Sequence, residues 1–81
     1  MMTKRPKQNK LIPPDPEEMN ESRAQWASAT LSEFRRHTGS DLGDAVSDLL
    51  TDLMHWCDRN ARNFEKELRR ARQHYEFETD D

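Results

Sequence analysis

The stretch from Asp44 to Asn60, DAVSDLLTDLMHWCDRN, constrains this chain most, because it is the one long, unbroken, strongly two-faced segment. At ~100° of rotation per residue, Val46, Leu49, Leu50, Leu53, Trp56 and Cys57 share one helical face, with Ala45 and Met54 at its edges. Asp44, Asp48, Thr51, Asp52, His55 and Arg59 share the other. A period this complete specifies a helix. Its apolar face is wide enough to touch two neighbours, which predicts the central helix of a three-helix unit with Leu53 in the core.

The chain of 81 residues bounds a single domain. Hydrophobic residues are 32% and charged residues 36%, close to the composition of disordered or coiled segments. The apolar residues nevertheless cluster at helical spacing after Met19. A core this small contributes little beyond the entropy it must offset. Cys57 is the only cysteine, so no internal disulfide helps. A homo-oligomer or a protein partner is therefore a physical expectation. Cys57 lies on the apolar face and reads as a small buried hydrophobe of a reducing compartment. His55, the nearest base, points about 160° away. No apolar run is long enough to cross a membrane, and no apolar core follows the basic start as in a signal peptide. The expected location is the cytoplasm, with no membrane partner.

Residues 1–14 carry Lys4, Arg5, Lys7, Lys10 and three prolines with almost nothing to bury, and read as a disordered basic arm. The helical domain is expected over 15–78 and an acidic tail over 79–81. Asp15-Pro16-Glu17-Glu18 suits a helix start: Asp15 as cap, Pro16 in the first turn, and two glutamates at the positive end of the dipole. That helix runs to Thr38 and stops at Gly39. Its apolar stripe is Met19, Trp26, Ala27, Thr30, Leu31 and Phe34. Ser40 or Asp41 caps the second helix, and Asn60 is its expected left-handed stop. Asn63 caps the third helix, on which Phe64, Leu68, Ala71 and Tyr75 form one face, with fraying from Glu76. The predicted fold is all-α, with helices at roughly 16–38, 42–59 and 64–77. The second and third form an antiparallel hairpin. Asp41, Asp44, Asp48, Asp52 and Asp58 mark the second helix as acidic; Arg62, Lys66, Arg69, Arg70 and Arg72 mark the third as basic. Their attraction favours the hairpin, at only ~0–1 kcal/mol per exposed pair.

Asp48, Asp52 and His55 stand on one face and carry ligand chemistry for a hard divalent ion, although aspartates near a helix start also form an ordinary solvated face. A wider acidic pattern is Glu17-Glu18-Met19-Asn20-Glu21 followed by Asp41-Leu42-Gly43-Asp44. It resembles the E-E-x-x-E and E-x-x-D motifs of the all-α MazG-like NTP pyrophosphohydrolases, with Asp41 where that family has Glu. This resemblance implies Mg²⁺ held by Glu18, Glu21, Asp41 and Asp44, and attack of water on a nucleotide's α–β phosphate linkage.

The run SDLLTDLMHWCDRN…NFEKELRRARQHYE is similar to a group of small helical accessory proteins encoded on bacterial plasmids, phages and integrated mobile elements. His55, Trp56, Asp58, Arg72, His74 and Tyr75 occupy that group's recurring positions. The resemblance implies a modulator that binds a host or defence protein and brings no enzymatic activity with it. Nucleic-acid binding through the basic third helix is a further alternative. The pI of about 5.6 and the acidic neighbouring helix count against it.

The favoured expectation is a small non-enzymatic protein-binding protein without cofactor, with Mg²⁺ required only under the pyrophosphohydrolase alternative. The partner surface is expected at Trp26, Met54 and Trp56, because the first and third helices supply too little apolar cover for the second.

Overall fold

The computed structural model describes residues 12–80. Three helices carry them: α1 (Asn20–Thr38), α2 (Leu42–Arg59) and α3 (Phe64–Glu78). No strand occurs among the described residues, and the fold is all-α as expected. The basic arm falls largely on residues 1–11, which lie outside the described residues.

α1 begins four residues later than its sequence suggests. The Glu18 N–H donates to the Asp15 carbonyl at 3.0 Å, closing a turn over Pro16 and Glu17, and Glu18 takes a left-handed φ of 57°. The Asp15 carboxylate then accepts from the Met19 N–H at 3.1 Å and the Asn20 N–H at 3.2 Å. Asp15 does satisfy the first amides, but across a turn. Asp-Pro suits the first two positions of a β-turn as well as a helix start, and here the turn wins.

The other boundaries follow the sequence closely. Gly39 closes α1 at φ 73°, donating to the Arg35 carbonyl at 2.8 Å. Asp41 holds the cap position of α2 with its backbone only, while the Ser40 hydroxyl donates to the Asp48 carboxylate at 2.5 Å. The left-handed residue after α2 is Ala61 at φ 56°, not Asn60, whose φ is −123°. The Arg62 N–H reaches back to the Cys57 carbonyl at 3.0 Å, the reverse-turn closure that requires a left-handed residue one place past the cap. Asn63 caps α3, its side chain accepting from the Lys66 N–H at 3.0 Å. α3 stays helical through Glu78, beyond the expected fraying point.

The three helices make an open frame. α1 and α2 pack at the end joined by the short 39–41 loop, and α2 and α3 pack beside theirs. The far end of α3 returns to the start of α1. There Asn20 Nδ2 donates to the Glu78 carbonyl at 2.9 Å, and Arg23 Nε lies 3.4 Å from the Glu78 carboxylate. The radius of gyration is 15.6 Å, against about 12 Å for a compact chain of this length. Ala45 and Cys57 are the only buried hydrophobic residues among those described. Leu31, Phe34, Leu49, Phe64 and Leu68 are half-buried.

Leu53 is 40% exposed, which corrects the expectation that it is core. α3 covers α2 only near their loop, at Cys57 and Phe64, and its remaining face at Ala71 and Tyr75 is itself exposed. Trp26, Ala27 and Thr30 of the α1 stripe are exposed as well. The expected charge attraction between α2 and α3 takes no form of direct pairing. The ion pairs among the described residues are Arg23 with Glu17 and Glu78, Glu33 with Arg36 and His37, and Arg70 with Glu67.

Candidate protein-interaction surface

α2 owes its helix to a complete 3.6-residue apolar period, and the same period creates the surface. Ala45 is buried and Leu49 half-buried on a helix that packs on α1, and buried Cys57 lies beside Phe64 at the start of α3. Between these supports the middle of the apolar face is only partly covered. Leu42, Val46, Leu50, Leu53 and Met54 are all exposed along it. Isolated exposed apolar residues are ordinary on protein surfaces; a contiguous row on one helix is not.

The three expected anchors are all exposed: Trp26 at 61%, Met54 at 46% and Trp56 at 52%. They do not form one cluster by element, since Trp26 belongs to α1 and the other two to α2. Met54 and Trp56 border the elbow between α2 and α3 on two sides. On one side a notch of about 260 Å³ is lined by Leu53, Trp56, Cys57, Arg62, Phe64 and Glu67. On the other, Met54 faces a groove with Asp58, Ala61, Asn63 and Glu65. The backbone beneath them is fixed: Asn60 Nδ2 donates to the Trp56 carbonyl at 2.8 Å, and Thr30 Oγ1 to the Trp26 carbonyl at 3.1 Å. Large rings held on rigid helices lose little freedom on docking. The notch has an apolar floor and one charge of each sign, Arg62 and Glu67, at its rim. It suits an apolar side chain better than a charged ligand.

The acidic constellation is not brought together. Glu18 lies in the turn before α1 and Glu21 in its first turn, whereas Asp41 and Asp44 lie at the start of α2, beyond the far end of α1. A helix of 19 residues separates the two pairs by about 25 Å, so one chain cannot bind one ion with all four. Asp48 and Asp52 line a groove with Phe34, Thr38, Ser40 and Thr51 where the end of α1 meets α2, and His55 is exposed on the same helix. Among the described residues, no group of three His, Cys, Asp or Glu side chains has the spacing of a metal site. Lys66, Arg69, Arg70 and Arg72 are exposed on α3. No helix among the described residues is long and apolar enough to cross a membrane.

The row at Val46, Leu50 and Leu53 was legible in sequence as apolar but not as surface, and Leu42, which extends it, was not read as part of that face. The signal lay in the mismatch between the wide face of α2 and the thin stripes meant to cover it. Nothing in the sequence marked the exposed Phe77. No protein-family model, no curated protein and no solved structure matches this chain.

Proposed function

We propose that this protein is a non-enzymatic binding protein that acts by docking its exposed apolar helical surface, anchored at Trp26, Met54 and Trp56, onto other protein. One observation carries this reading: among the described residues two small ones are buried, while every large apolar side chain of α2 but Leu49, with Trp26 and Tyr75, stays exposed. Exposure of that kind costs about 25 cal/mol per Å², and a protein surface that covers it recovers the cost. Tryptophan is the side chain most often found to dominate such interfaces. The similarity of the run from Ser47 to Glu76 to small accessory proteins of bacterial mobile elements supports a modulator of a host or defence protein. The separation of Glu18 and Glu21 from Asp41 and Asp44 speaks against Mg²⁺-dependent nucleotide hydrolysis by a single chain.

Photo-crosslinking tests this reading. A benzophenone amino acid replaces Trp56 or Trp26, with a control at Asp52 on the polar face, and irradiation is done inside the native host. Adducts to protein are expected at the two tryptophan positions and not at Asp52. Equal yields at all three positions, or none, would remove the surface from consideration.

A further inference from the structure

Building on that binding role, we propose that the uncovered row of α2 is occupied by α2 of a second copy of this chain, paired antiparallel across a two-fold axis near Leu50. Val46, Leu50, Leu53 and Cys57 follow one another at spacings of four, three and four, which is the seam spacing of two packed helices. Cys57 is closed by the α3 end of its own chain, but from Leu42 to Met54 the seam lies open. Gly43 falls on the same side, and a side-chain carbon there would meet nothing within 4 Å. It leaves room for close approach.

The charges of α2 decide for a second copy over a foreign helix. On this seam the flanking positions are Leu42, Ser47, Leu49, Met54 and Trp56, none of them charged. Asp44, Asp48, Asp52 and Asp58 fall on the outer positions. A helix with four aspartates therefore pairs with itself without setting carboxylate against carboxylate. The flanks also hold no charge by which a foreign basic or acidic helix would be selected. An antiparallel pair sets the N-terminus of one α2 beside the C-terminus of the other, so their dipoles attract.

The area is sufficient. The exposed apolar side chains from Leu42 to Trp56 offer on the order of 500 Å² per copy. Pairing buries at most about 1,000 Å² of apolar surface, which with its polar rim reaches the lower range of stable interfaces, about 1,200 Å². Trp26 lies on α1, outside this seam, and stays available to a different protein.

Sedimentation equilibrium of the full chain over a concentration series tests the pairing, using wild type, Leu50→Glu and Leu50→Lys. Leu50 is 43% exposed within one chain, so neither change removes a core residue. Wild type is expected as a dimer, and each variant should weaken association by at least about 100-fold, since each buries like charges near the axis. Mixing the two variants, one carrying a size tag, should restore a mixed dimer. A wild type that stays monomeric and helical into the high micromolar range would overturn the pairing. So would a dimer indifferent to both variants, or a mixture that fails to associate. If the wild type is monomeric while Trp56 crosslinks a foreign protein, the seam belongs to that protein and the binding role survives. If dimers form but Trp26 and Trp56 crosslink only this chain, the pairing stands and the modulator role falls.

Discussion

Ala61 sits in the left-handed region at φ 56° and sets the angle at which α3 leaves α2. An L-residue there costs about 1–2 kcal/mol through the clash of Cβ with the backbone. Glycine avoids this clash, but its greater freedom in the unfolded chain costs about 0.5–1 kcal/mol. The Ala61 methyl is exposed, so its removal loses no packing. Ala61→Gly should therefore stabilise the fold by about 0.5–1 kcal/mol. Gly39 at φ 73° is the mirror experiment. A Cβ built on it meets nothing within 4 Å, so Gly39→Ala carries only the backbone cost and should destabilise by a similar amount. For a domain of this size each kcal/mol moves the melting midpoint by about 4–8 °C. Circular-dichroism melts should show Ala61→Gly about 3–6 °C above wild type and Gly39→Ala about as far below. All samples need the same protomer concentration, because association makes Tm concentration-dependent. A lower midpoint for Ala61→Gly, or shifts of the same sign in both variants, would refute the left-handed closure of the elbow.

Asp15→Ala should cost about 1 kcal/mol, with faster hydrogen exchange confined to the start of α1; unchanged exchange at Met19 and Asn20 would show that the carboxylate does not cap. The Glu33 carboxyl is held below its ordinary value chiefly by the hydrogen bond from Arg36, which outweighs the opposing effect of desolvation, with the charge of His37 and the hydrogen bond from it adding to the lowering. A depressed carboxyl contributes stability that is present above the ordinary glutamate value of about 4.3 and is lost as pH falls through its lowered folded value. The Tm difference between wild type and Glu33→Gln should be small, because the group is exposed, and should close as acid is added through that window; a difference that persists at lower pH would contradict the pairing.

The helices and most of their ends were legible in the sequence, because each is specified by residues close in the chain. The period of α2 requires only residues 42 to 59, Gly39 alone suffices for a left-handed stop, and Asn63 caps by reaching three residues ahead. Local information failed where one motif served two structures. Asp15-Pro16 is both a helix start and a turn, and only the Glu18 hydrogen bond to Asp15 distinguishes them. Asn60 was the better left-handed residue by type, yet the last turn of α2 closes one residue later and places Ala61 there. The surface was half legible. Apolar spacing on α2 tells which residues share a face, and the thin stripes of α1 and α3 hinted that cover would run short at Trp26, Met54 and Trp56. Which residues stay bare depends on where the neighbouring helices lie, and that is decided by contacts between distant segments. Asn20 and Arg23 draw the end of α3 to the start of α1, so α3 meets α2 beside their loop and leaves Leu53 and Leu50 partly exposed. A residue's face follows from chain period alone; its burial requires a second element to be there, and no local pattern contains the position of that element.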